Sequence, residues 1–211
     1  MAAIVLVHGW GYDARLWDAV RARLDAALDV ALIDFGYFSA AAPAPSFKGP
    51  VVAVGHSLGA VWWLTQSAIP WRRLLCIDGF PRFTAAEGYP GVAPRVLERM
   101  RRQFAADPAA VLADFHARCG APAPAADANA AQLADGLVQL ATLDGRATLA
   151  ARLADVWALA GTDDPIVPRA LTEAAFAGLP AGHLEWLNAP GHALPMTAPG
   201  HCAAWIERLA S

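Results

Sequence analysis

Val51-Val52-Ala53-Val54-Gly55-His56-Ser57-Leu58-Gly59-Ala60-Val61 decides the reading of this chain. Four apolar, mostly β-branched residues form a buried strand, and the run from Ala60 to Ser67 has the composition of a helix. Between them stands G-x-S-x-G, the spacing at which a tight turn lifts a serine hydroxyl above the end of a sheet. The small glycines leave room for such a turn. A glycine-rich turn with an incidental serine is the plain alternative, and the strand before it and helix after it argue against that.

Outward from this stretch the same alternation recurs. Short strands are expected at Ala3–Val7, Val30–Ile33, Val51–Val54, Leu74–Ile77, Val156–Ala160 and His183–Leu187, separated by helical segments. That order predicts an α/β protein with a mostly parallel, doubly wound sheet of about six strands. The span between the fourth and fifth strands is too long for a simple crossover. Residues 81–150 are therefore expected to form an inserted helical cap on a core of 1–80 and 151–211. In the cap, Pro94 opens a helix with Val96, Met100 and Phe104 on one face. Asp107-Pro108 starts a second, carrying Val111, Leu112 and Phe115 and stopping near Gly120. Ala-Pro alternation over Ala121–Ala126 makes a stiff connector, and Asp127 is expected to cap a third helix that buries Leu133, Leu137 and Leu140.

Hydrophobic residues make up 56% of the 211 and charged residues 17%, which suits one large core and argues against long disordered tails. The net charge of −3 offers no global attraction for nucleic acid. The first apolar run, Ala2–Val7, is too short for a membrane span and lacks the basic flank of a signal peptide, so a cytoplasmic protein with no membrane partner is expected. Cys76, Cys119 and Cys202 are odd in number and widely spaced, which indicates neither disulfides nor a zinc site.

A serine hydroxyl becomes nucleophilic only when a base takes its proton and a carboxylate orients that base. Among six histidines, His8 and His56 precede or adjoin Ser57, His116 lies in the cap and His183 opens the last strand. His192, in the loop Asn188-Ala189-Pro190-Gly191-His192 leaving the last strand, stands where catalytic groups of an open α/β sheet gather. His201 is held in reserve. The acid is sought in Gly161-Thr162-Asp163-Asp164-Pro165-Ile166-Val167-Pro168: Asp163 suits a turn cap, Asp164 fits the spacing to the following Val-Pro, and Asp78 after the fourth strand is the rival. Val7-His8-Gly9-Trp10-Gly11 follows the first strand and suits an oxyanion loop, with the amides of Trp10 and Leu58 as the two donors.

Together these segments resemble the α/β-hydrolase superfamily over nearly the whole chain. Asp78-Gly79-Phe80-Pro81-Arg82-Phe83, Tyr89-Pro90-Gly91-Val92, Val96-Leu97 and Gly136-Leu137 through Leu143-Asp144 are similar to the pimeloyl-acyl-carrier-protein methyl ester carboxylesterases of biotin synthesis. The resemblance implies a serine esterase that removes a methyl ester from a carrier-bound acyl chain, releasing methanol, with no cofactor or metal. It implies a small-molecule or carrier-linked ester substrate held near Trp10, Leu58 and Phe115, and an acyl carrier protein as partner. The chain departs from that pattern in starting at the strand that is usually third, in the short segment Ser39–Gly49, and in His56 before the serine. Ala110 and Asp114 stand on the helix where the family places its carrier-docking arginines. Arg95, Arg99 and Arg102 on the preceding helix are the substitute basic face. The stretch from Arg95 to Arg102 carries a net charge of +3, and Glu98 is expected to pair with Arg102 at i+4.

Overall fold

A computed structural model describes residues 3–38, 45–66 and 68–211. Ala2, Ser67 and the first six residues of the Ser39–Gly49 segment lie outside the described residues. In chain order the elements are β1 (Ile4–Val7), α1 (Asp18–Arg21), β2 (Val30–Ile33), β3 (Val51–His56), α2 (Leu58–Thr65) and β4 (Trp71–Ile77). They continue as α3 (Pro94–Ala106), α4 (Pro108–Cys119), α5 (Ala130–Thr142), α6 (Arg146–Ala151), β5 (Val156–Asp163), α7 (Arg169–Phe176), β6 (Leu184–Pro190), α8 (Leu194–Thr197) and α9 (Pro199–Ala210).

The six strands form one parallel sheet in the order β2-β1-β3-β4-β5-β6. Both faces are covered, so the central strands bury alternate residues in opposite directions: Ile4, Leu6, Val52 and Val54 enter one apolar cluster, and Val5, Val7, Val51 and Ala53 the other. The chain winds outward from β1 to β2 and then returns to place β3 on the other side of β1. The loops after β1 and β3 therefore diverge at the carboxyl ends of adjacent strands, which is the crevice where an α/β sheet binds ligands.

The strands occur where the sequence places them, but β4 starts earlier, at Trp71, and β3, β5 and β6 run further, to His56, Asp163 and Pro190. The cap-side helices differ in detail. In α3 the buried residues are Leu97 and Phe104, while Val96 is 52% exposed, so the apolar stripe is turned by about one position from the expected Val96-Met100-Phe104 face. Asn129, not Asp127, caps α5 by accepting from the Gln132 amide at 3.2 Å. Asp107 caps α4 through the Ala110 amide at 3.0 Å, and Leu133, Leu137 and Leu140 are buried as expected. No helix among the described residues is long and apolar enough to cross a membrane.

Helix α2 approaches β1 backbone to backbone at Gly59. A Cβ on Gly59 would stand 2.5 Å from the Val7 carbonyl oxygen and 2.9 Å from that of His8, both backbone atoms that cannot turn aside. Gly59→Ala should therefore cost about 2 kcal/mol or more of stability by overpacking. Urea unfolding midpoints with an unchanged slope measure this, and a loss below about 0.5 kcal/mol would show that the approach is adjustable.

Candidate active site

Ser57 sits between β3 and α2 at φ 54°, ψ −117°, a strained backbone for a residue with a Cβ. Its amide donates to the Ile77 carbonyl at 3.0 Å, which ties the turn to β4. The loop after β1 packs against it, for a Cβ on Gly9 would lie 2.9 Å from the Ser57 Cβ. Trp10 follows Gly9 and Leu58 follows Ser57, so this contact brings both residues beside the serine. Among the described residues neither of their amides donates to a protein acceptor. Two undirected N–H groups beside a hydroxyl are what a developing oxyanion requires.

His192 lies in the loop after β6. Its Nε2 is 2.9 Å from Ser57 Oγ and its Nδ1 is 2.7 Å from Asp164 Oδ2, with both side chains of the acid–base pair 4% exposed or less. The other Asp164 oxygen accepts from the amides of Ile166 and Val167 at 2.7 and 2.9 Å, so the turn through Pro165 aims the carboxylate. Gly191, at φ 87°, must be glycine, because a Cβ would overlap the Cys119 carbonyl oxygen. The His192 amide donates to that same oxygen at 3.0 Å.

The rival groups have other work. Asp78 accepts from the Gly161 amide at 3.1 Å and the Leu194 amide at 3.2 Å, and makes no hydrogen bond to the His192 ring. Burial, reinforced by the nearby Asp164 charge, pushes its carboxyl up. Asp163 is exposed at the end of β5. His201 pairs with Glu185 at 2.7 Å on the surface. His8 bonds the Gly9 carbonyl and the Phe35 amide, His183 the Val156 carbonyl, and His116 the Gly11 carbonyl. His56 Nε2 donates to the His192 carbonyl at 2.8 Å, and burial beside His192 holds its ring well below the ordinary histidine value. His56, Asp78 and His192 bring ligand-type atoms within 4.8 Å of one another; His56 Nδ1 has no hydrogen-bond partner, while Asp78 and both ring nitrogens of His192 are engaged in the bonds just given.

Above Ser57 opens a cavity of about 800 Å³ between the core and helices α3 and α4. Trp10, Phe83, Val96, Met100, Val111 and Phe115 supply its apolar wall, and the Trp10 indole is pinned by a 2.8 Å bond to the Leu133 carbonyl. The Leu58 side chain is fully buried in the core and does not line the cavity, so Leu58 can reach a ligand only through its amide. Arg99 and Arg118 stand in the cavity wall with Asp107 and Asp114. Arg95, Arg99 and Arg102 are exposed, and Glu98 pairs with Arg101 at 3.2 Å instead of with Arg102. Among the described residues these three arginines have no carboxylate partner.

No family profile matches the chain. It is 30% identical to a pimeloyl-acyl-carrier-protein methyl ester esterase of Aromatoleum aromaticum, over 97% of this chain and 96% of that protein. It is 29% identical to the biotin biosynthesis bifunctional protein BioHC of Cellvibrio japonicus, over 97% of this chain and 46% of that one, so it spans about half of that relative's length. A solved esterase from Exiguobacterium antarcticum superposes with a TM-score of 0.83 at 18% identity, covering 100% of this chain and 92% of that one. At that identity the likeness speaks for the fold.

Burial alone would lower the His192 pKa, but the charge and hydrogen bond of Asp164, helped by Asp78, outweigh it and raise the ring above the ordinary value of 6.5. The protonated ring is thus bound more tightly folded than unfolded; this stabilisation is complete below the unfolded pKa and is lost as pH rises through the folded one. The His192 resonance in an NMR titration should have its midpoint above 6.5, and Asp164→Asn should move that midpoint down. A midpoint at or below 6.5 in the unsubstituted protein would mean that desolvation wins.

Proposed function

Because this chain belongs to the pimeloyl-acyl-carrier-protein methyl ester esterase family of α/β-hydrolases, we propose that it cleaves the methyl ester of a carrier-linked acyl chain, using Ser57, His192 and Asp164. It is a serine hydrolase of carboxylic esters, and the finer reading concerns its substrate and the roles of its residues. The observation that carries the reading is the unbroken relay from Ser57 Oγ through both ring nitrogens of His192 to Asp164, opening onto the apolar cavity.

In the first half-reaction Ser57 Oγ attacks the ester carbonyl while its proton passes to His192 Nε2. Asp164 holds the ring with Nδ1–H toward itself and stabilises the imidazolium. The Trp10 and Leu58 amides receive the negative charge that forms on the carbonyl oxygen. Collapse of the tetrahedral adduct expels methanol, which takes the proton from Nε2 and leaves an acyl-serine. Water then attacks the acyl group and gives one proton to His192, which passes it to Ser57 Oγ as the second adduct collapses; the acid so released loses its remaining proton to solvent and leaves as the carboxylate. The acyl chain lies against Trp10 and Phe115, with its methyl ester at Ser57 and its carrier-linked end toward the α3 side of the opening. A cytoplasmic setting goes with a carrier-linked substrate.

Exposed Arg95, Arg99 and Arg102 on α3, of which Arg99 lines the cavity, support docking of an acidic carrier protein there, since among the described residues none of the three pairs with a carboxylate. Asp107 and Asp114 at the same opening favour a second reading, a free small-alcohol ester. Charge steering separates the two.

Ser57→Ala should lower kcat on a short p-nitrophenyl ester by at least about a thousandfold with the fold intact by circular dichroism. Asp164→Asn should be more damaging than Asp163→Asn; the reverse order would move the acid's role to Asp163. Reversing Arg95, Arg99 and Arg102 to glutamate should lower kcat/KM on a carrier-linked methyl ester, by an amount that shrinks with added salt, and leave the free methyl ester unchanged. Equal kinetics on the carrier-linked ester before and after reversal would decide for the free ester.

A further inference from the structure

One helical turn touches three of the loops that surround Ser57, those after β1, β5 and β6. His116 Nε2, near the end of α4, donates to the Gly11 carbonyl at 2.6 Å, in the loop that carries Trp10. Arg118 Nη2 donates to the Pro165 carbonyl at 3.0 Å, next to Asp164. The Cys119 carbonyl accepts from the His192 amide at 3.0 Å. Carbonyls in the last turn of a helix have no partner within it, so Cys119 is free to accept from outside. Gly120, in the left-handed conformation at φ 70°, ends the helix there.

The three loops leave β1, β5 and β6, which are not all neighbours in the sheet. Ladder hydrogen bonds set where each strand ends, but not where its loop goes beyond that end. The α4 turn supplies the missing cross-links. His116 is buried with Nδ1 unpartnered, a cost the fold bears while keeping the Nε2 bond. The neighbouring Phe115 packs edge-on against Trp10 with ring centres 4.9 Å apart, which fixes the same loop from its other side.

We propose that the last turn of α4 is a positioning strut, in which His116 sets the oxyanion loop, Arg118 sets the acid loop and the Cys119 carbonyl holds the backbone of His192. This rests on the assignment of Ser57, Asp164 and His192 as the reacting groups. The cap therefore does more than cover the cavity: its seating sets the distances on which the chemistry depends. Small displacements of reacting groups are costly in rate even when binding is untouched.

The test uses a short neutral ester, so that carrier docking plays no part. His116→Leu should lower kcat by about tenfold or more with KM within about twofold, and should slow fluorophosphonate labelling of Ser57 in parallel. His116→Gln, whose side-chain N–H can reach Gly11, should recover most of that loss. If both variants lose thermal stability but the folded enzyme keeps the parent kcat, His116 is a packing residue and the strut is refuted. Should His116→Leu fail to fold, Arg118→Met replaces it: the expected loss in kcat is about threefold or more, recovered by Arg118→Lys, and an unchanged kcat overturns the proposal. Ser57→Ala run alongside keeps the two levels apart. Activity surviving there refutes the triad assignment, whereas an inactive Ser57→Ala beside a fully active His116→Leu refutes the strut alone.

Discussion

The approach of the first turn of α2 to the carbonyls of Val7 and His8 is the constraint from which the site follows. Only hydrogen at Gly59 lets the two backbones come this close. With a side chain there, α2 would have to move off β1. The same contact holds Ser57 in its left-handed conformation, a cost of order 1–3 kcal/mol that neighbouring packing must offset. The strained serine turn and the close seating of α2 on the end of β1 are therefore products of one piece of steric complementarity.

The electrostatics of the site follow from burial on top of that geometry. Asp164, Asp78 and His192 are packed together away from water, and two carboxylates so placed resist ionising together. Their bonding partners divide the labour. Asp164 accepts one ring N–H and two turn amides at short range, whereas Asp78 spans from β5 to the start of α8 through two longer amide bonds. The histidine thus faces one well-directed carboxylate, with the second serving mainly to join the ends of two elements. His56 adds a neutral donor to the His192 carbonyl, so the histidine's backbone is held from both sides.

The sheet and the serine turn were legible because they depend on short-range rules. Strands β1 to β6 declare themselves by β-branched runs, and Gly55-His56-Ser57-Leu58-Gly59 carries its geometry within five residues. The α3 stripe was harder: Val96 and Leu97 are adjacent apolar residues, and which one faces inward depends on where α4 and α5 sit. Glu98 has basic residues at both i+3 and i+4, and spacing could not choose Arg101 over Arg102. Asp127 and Asn129 are equivalent as caps by composition, and only the path of the preceding connector selects between them. His116 and Arg118 left no pattern at all, since their partners are backbone carbonyls more than forty residues away in sequence.

The latch between α4 and the base loop also bears on how such a protein can be recombined. A cap is commonly regarded as an exchangeable module joined to its core at two seams in the chain. Here a graft cut near 81 and 150 would carry away His116, Arg118 and Cys119 and strand Gly11, Pro165 and His192 without their counterparts. The Pro-rich connector at 121–126 lies just beyond that turn and has no helix or strand to interrupt. On the strut proposal, a chimera that crosses over inside this connector keeps α4 with its three partners in the core, and with them all but one of the cavity residues that residues 81–150 supply.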